Sequence, residues 1–173
     1  MTGFPNSMNI TQAPAVEGDR ASLNPIRVLP GAAGAWTAGS GGVTIGRFAW
    51  GDLASTDSVL VNNGSGVPSC VIAREWGDAM ITTYLAENTM TIPAGYPVGL
   101  PIIEGDIWVK VAAGSAAAVG MKAYAKLTDG TIQFAATNQS ISGYVETKWF
   151  CAALSGGAGA VGTLVKMTSA AID

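Results

Sequence analysis

The chain contains no histidine, which removes the side chain best suited to proton transfer near neutral pH and rules out Ser-His and Cys-His nucleophilic dyads. The only soft metal ligands are Cys70 and Cys151, far apart in sequence and without a Cys-x-x-Cys pair, so a transition-metal cofactor is not expected. Each cysteine sits in an apolar run, PSCVIA or WFCAAL, and is read as a buried free thiol packing as a small hydrophobe. Carboxylates are what remain for acid/base or hard-cation chemistry. Glu17-Gly18-Asp19 and Glu104-Gly105-Asp106 place two acids about one glycine, the ordinary composition of a solvated turn, and neither has calcium-loop spacing. Gly157 to Gly162 matches G-x-G-x-x-G in form, but it leads into the strand-like TLVKMT instead of a helix, so no nucleotide-binding βαβ unit follows.

Other residues suit contact better than catalysis. Lys110, Lys122, Lys126, Lys148 and Lys166 are isolated in sequence; a solvated stripe is their ordinary reading, and contact with an acidic surface the sharper one. Of five tryptophans, Trp108 and Trp36 are candidates for a contact surface, Trp108 by strand parity and Trp36 because Gly and Ala surround it. The net charge of −3 with dispersed basic residues argues against a nucleic-acid binder.

These groups have to be positioned by a single domain, since 173 residues suffice for one core and not comfortably for two. Only 12% of residues are charged, about half the usual share, as suits a surface partly covered in use. The 23 glycines and the many alanines leave Val, Ile, Leu and Trp to supply most of the hydrophobic stabilisation. The opening MTGFPNSMN lacks the basic and apolar regions of a signal peptide. The charge-free stretches from Val28 to Gly46 and from Trp149 to Val165 are broken by glycine, so no transmembrane segment is read.

Pro5, Pro14, Pro25 and Pro30 punctuate residues 1–30, which are read as an extended arm preceding a β domain at 31–173. From Val43 onward, short β-branched and aromatic runs alternate with turn clusters. In IWVKV, Ile107, Val109 and Val111 share one face and Trp108 and Lys110 the other. KAYAKLTDGTIQFA predicts a hairpin about a type I′ turn at Asp129-Gly130. GYVETKWFCAAL and GTLVKMTS predict a second hairpin across the Gly-rich SGGAGAV. The β-branched centre of DAMITTYLAENTM, and Gly114 and Gly120 within Val111 to Met121, argue against helices there. The expectation is an all-β fold with little helix: an antiparallel β-sandwich or jelly roll, or a small β-barrel.

Several stretches, in order, resemble the structural cement (capsid decoration) proteins of tailed-phage heads: AVEGDRASLNPIRVL, GGVTIGRFAWGD, ITTYLAENTMTIPAGYPV, EGDIWVKV and GMKAYAKLTDGTIQF. They cover most of Ala15 to Phe134, and beyond Phe134 only the strand-turn-strand pattern agrees. The most specific pieces are Gly18-Asp19-Arg20-Ala21-Ser22 with Asn24-Pro25, the strand Val43 to Trp50, and TMTIPAGYPV. The resemblance implies a non-enzymatic structural protein on the outer surface of the phage capsid, made in the host cytoplasm. It would bridge major capsid protein subunits and stabilise the head against DNA pressure, with no catalytic, cofactor or metal residues to carry over.

On that reading the partners are the major capsid protein and other copies of the chain, as a trimer in preference to a dimer, with no nucleic acid and no membrane. The arm is the expected grappling element, with Phe4, Pro5, Ile10, Pro14, Val16 and Ile26 as apolar anchors and Arg20, Trp36 and Trp108 as further contacts. The plainer alternative is an arm folded over an edge strand of its own domain. Two other classes compete: a receptor-binding or adhesin-like module of a tail or fibre, and a carboxylate hydrolase, which would need two acids converging in one cleft.

Overall fold

The computed structural model describes residues 15–31, 35–51, 58–75, 90–154 and 163–169. In chain order the strands are β1 (Arg27–Val28), β2 (Trp36–Ala38), β3 (Val43–Thr44), β4 (Phe48–Gly51), β5 (Val59–Val61), β6 (Cys70–Ile72), β7 (Thr91–Ile92), β8 (Pro97–Val98), β9 (Pro101–Glu104), β10 (Asp106–Lys110), β11 (Lys122–Lys126), β12 (Ile132–Ala135), β13 (Tyr144–Leu154) and β14 (Leu164–Thr168). No helix occurs among the described residues. DAMITTYLAENTM (all but Met90) and the glycine motif at 157–162 lie outside them.

Two sheets make the body. One runs β1-β9-β6-β4-β5-β2-β8 and the other β10-β14-β13-β11-β12, with a separate β3-β7 ribbon. Among the described residues no sheet closes into a barrel, and the layering fits a sandwich. Among the described strands pairing is antiparallel except where β2 runs parallel to β5 at Thr37–Val59 and Ala38–Leu60, and the isolated bridge Val111–Ile132 is also parallel.

Strand parity explains the layers. In β10, Ile107 and Val109 are buried while Lys110 is exposed and Trp108 half-buried, the alternation of a sheet with one face to a core. Those residues join Val165 and Met167 of β14 and Trp149 and Cys151 of β13 against Phe48, Val71 and Ile102 of the larger sheet. β4 and β6 are instead buried on both faces. Ala49, Cys70 and Ile72 point away from that core into a second one with Trp36, Leu60 and Val98, closed by Val43 and Ile92 of the ribbon. The seven-stranded sheet is thus the middle layer, and its central strands read as continuous apolar runs.

The hairpin β11–β12 forms where the sequence places it, with Ala123 opposite Phe134 and Ala125 opposite Ile132. Its turn differs from the expected type I′. Only Gly130 is left-handed, at φ 68°, and the loop is longer, closed by the Gly130 N–H on the Lys126 carbonyl and the Lys126 N–H on the Thr131 carbonyl. The Asp129 carboxylate accepts from the Thr131 amide at 3.0 Å and from the Thr131 hydroxyl, a local turn device that leaves Asp129 no need of a positive φ. The tip then docks on the larger sheet, where the Phe48 N–H donates to the Gly130 carbonyl at 2.9 Å and a Cβ on residue 130 would strike the Phe48 carbonyl.

Candidate functional site

The segment Pro101 to Lys110 passes from one sheet to the other. β9 belongs to the larger sheet and β10 to the smaller, and the elbow is Gly105 at φ 140°, a backbone setting reserved for glycine. The elbow is pinned from β14's end, because the Gly105 N–H donates to Ser169 Oγ at 2.8 Å and the Ser169 N–H to the Gly105 carbonyl at 3.1 Å.

Along this whole segment lies the second half of the arm. The Gly18 N–H donates to the Trp108 carbonyl at 2.7 Å, the Trp108 N–H to the Asp19 carbonyl at 2.9 Å, and the Ala21 N–H to the Asp106 carbonyl at 3.0 Å. Further on, β1 pairs with β9 at Arg27–Glu104 and Val28–Ile102, and the Leu29 N–H reaches the Pro101 carbonyl at 2.8 Å. Residues 18–29 therefore cover an edge of their own domain, which would otherwise template unwanted strand pairing. The opposite edge is covered too: the Phe134 N–H donates to Ser115 Oγ at 3.1 Å, the Ser115 hydroxyl donates back to the Phe134 carbonyl at 3.3 Å, and the Ala112 N–H takes the Ile132 carbonyl at 2.9 Å.

Side chains of the elbow lock the arm in place. Asp106, only 6% exposed, accepts from Asn24 Nδ2 at 3.1 Å and pairs with Lys166 Nζ at 3.3 Å. Burial alone would raise its carboxyl, but hydrogen bonds from Ser22, Thr168 and Lys166 and the charge of Lys166 outweigh it and hold the group below its ordinary value. Glu104 is also held low, first by its hydrogen bond from Arg27 at 2.9 Å, which with the hydrogen bond from Lys148 at 3.4 Å and the charges of both outweighs an opposing burial effect. Asp19 pairs with Arg74 at 3.4 Å and accepts from the Val16 N–H at 2.9 Å. Glu17 packs on Gly46, and burial raises its carboxyl against the pull of Lys110 and Arg47.

What the arm leaves outward is mostly apolar and basic, with Asn24 exposed as well. Leu23 is 100% exposed, and Val16 (46%) and Val28 (41%) are exposed as well. Arg20 lies outward with its guanidinium on the Asn24 carbonyl at 3.4 Å. Leu23 was not among the expected contact residues; its only sequence signal is an apolar side chain between turn-forming Ser22 and Asn24. Of the expected anchors, Phe4, Pro5, Ile10 and Pro14 lie outside the described residues. Ile26 turns inward against the main core and the face of Gly105. Trp36 is a core residue, 3% exposed, with its indole N–H on the Leu29 carbonyl at 3.0 Å; its ring enters the second core against Gly51, where a Cβ would meet it at 2.8 Å. Trp108 is half-buried on the outer side of β10, opposite Lys166.

Each acid of the two Glu-Gly-Asp pairs has its own cation or core contact, and no three metal-ligating groups converge among the described residues. Both cysteines are free and buried, and burial pushes the Cys151 thiol up to about 11 and Cys70 higher still. No helix of the described residues is long and apolar enough to cross a membrane.

Comparison with known proteins adds two findings. Residues 4–169 match the family model of the XM1 gp53 minor capsid protein. A chain of a solved structure, "The capsid of Myoviridae Phage XM1", superposes with a TM-score of 0.64 over 96% of each chain, at 15% sequence identity. No curated protein matches the chain.

Proposed function

Because the chain belongs to the XM1 gp53 minor capsid protein family, and so to the structural proteins of the phage virion, we propose that it sits on the outer surface of the assembled shell. There it bridges neighbouring major capsid protein subunits and stiffens the head against packaged DNA, without catalytic chemistry. Association as a homotrimer would let one assembly touch several subunits at once, so that modest contacts multiply by avidity.

The observation that carries this reading is the arm. Residues 16–29 are fastened to the domain by backbone bonds and by Asp106 and Glu104, yet they turn Leu23, Val16, Val28, Arg20 and Arg27 outward. A preordered strip of apolar and basic side chains suits docking, since ordering it costs little entropy on binding. Val16, Arg20 and Trp108 are its docking residues, with Leu23 at the tip, and Phe4, Pro5, Ile10 and Pro14 extend the contact.

Electron cryomicroscopy of heads from the parent phage and from a phage lacking this gene tests the proposal. Difference density on the outer shell surface, spanning adjacent capsid subunits, is expected. Difference density on the tail or fibres, as for a receptor-binding module, would overturn it.

A further inference from the structure

The sequence holds five lysines, 110, 122, 126, 148 and 166, and the strand order brings all of them to one place. Ile107, Val109, Ala123, Ala125, Val165 and Met167 of the five-stranded sheet are buried against the larger sheet. By the two-residue period of a strand, Lys110, Lys122, Lys126 and Lys166 occupy the opposite face. Lys148 joins them, exposed between buried Thr147 and Trp149 of β13. Trp108 and Phe150, both half-buried, share that face, and the Lys122 ammonium lies 3.8 Å from the centre of the Phe150 ring.

Along the sequence, charge is divided unevenly as well. The face and the adjoining arm hold seven of the nine basic residues (the lysines, Arg20 and Arg27) and six of the twelve carboxylates (Glu17, Asp19, Glu104, Asp106, Asp129 and Glu146), a net of +1. The rest of the sequence holds Arg47 and Arg74 against six carboxylates, a net of −4. Within the face Lys166 is paired with Asp106, Lys126 with Asp129 and Lys148 with Glu104. Lys110 and Lys148 are the exposed ammonium groups among the five, Lys148 at the arm side beside Arg27 and Lys110 at the far end of β10. Arm and face are continuous: Lys148 and Arg27 meet on one Glu104, and Asn24 and Lys166 on one Asp106.

We propose that this lysine face, with the arm along its β10 edge, is the side of the molecule turned to the shell, and that it recognises a protein surface rich in carboxylates. The inference rests on the shell-binding reading above and adds the orientation of the molecule and the chemistry of its partner. The sheet's backbone groups are occupied in its own ladder, so the face offers side chains: ammonium groups that pair with acids at a contact rim, and indole and phenyl rings that bury apolar area between them. A cluster of ammonium groups on one face also steers encounter with an acidic shell.

The test uses full-length protein and heads from a phage lacking this gene, with binding followed by co-sedimentation at graded salt. Wild type is expected to bind, and Lys110→Glu/Lys148→Glu to bind at least about tenfold more weakly at 50 mM salt. The difference is expected to shrink toward 1 M, where screening shortens to about 3 Å. Zero-length carbodiimide coupling of bound wild type is expected to join Lys110 or Lys148 to shell carboxylates, a readout independent of any variant's folding. Equal affinity of the double variant at low salt, or coupling only through other residues, would overturn the inference while leaving shell binding intact. Failure of wild type to sediment with heads would remove the shell-binding reading and this inference with it. Retention on duplex DNA that the double variant loses, without shell coupling, would replace the protein partner with nucleic acid.

Discussion

Asp106 is the sharpest point at which to perturb the arm. Replacing it with Ala removes an acceptor shared by Ser22, Asn24, Thr168 and Lys166. A hydrogen bond to a charged group contributes about 1.5–3 kcal/mol, but these do not add, since Ser22 and Asn24 lie near the surface and rehydrate. Thr168 is buried and the Lys166 side chain only 26% exposed, so their loss dominates and the net cost is about 2–4 kcal/mol. For a chain of this length a loss near 3 kcal/mol lowers Tm by about 6–12 °C. The sign with pH follows from the lowered carboxyl. The contribution is complete above the unfolded aspartate value of about 3.9 and is lost as pH falls through the lower folded value, so the gap between wild type and Asp106→Ala should narrow below about pH 4. Urea unfolding measures the cost. Hydrogen exchange locates it: the Gly18 and Ala21 amides, bonded to β10 carbonyls, should lose protection well beyond those of β11 and β13. A change under about 0.5 kcal/mol, or arm amides as protected as before, would refute the latch.

Three further outcomes are expected. Ser115→Ala removes the hydroxyl that serves both backbone groups of Phe134 and should cost about 1–2 kcal/mol while raising self-association at the β12 edge, measured by urea unfolding and light scattering. Leu23→Asp, at a fully exposed position, should change stability by less than about 0.5 kcal/mol yet weaken binding to heads in co-sedimentation. A thiol reagent at pH 8 should leave Cys70 and Cys151 unmodified in the native protein and react with both in urea, since both thiols are buried and raised.

How much of this was legible in the sequence depended on range. The alternation of Ile107, Trp108, Val109 and Lys110 is local, and the strand formed with that parity. The β11–β12 hairpin was equally visible, though Asp129 solved its turn with a side-chain bond in place of a left-handed backbone. Trp36 misled because small neighbours suit either an exposed ring or one admitted to a core, and only the second core, assembled from strands distant in sequence, decides between them. The same holds for β4 and β6, whose burial on both faces depends on layers supplied by distant residues. Asp106 drew notice as a turn acid beside Gly105; its bond to Asn24 spans 82 positions, and the only local hint was a carboxylate opening a strand, where such residues are depleted. The lysines were each visible, but their common face exists only once β10, β11, β13 and β14 are placed side by side.

The central claim, that this minor capsid family member strengthens the head from outside, is tested most directly by adding the purified protein to DNA-filled heads lacking it and following DNA release on heating with an intercalating dye. Saturating protein should bind and raise the release temperature toward that of complete heads. Saturating binding with an unchanged release temperature would contradict the account.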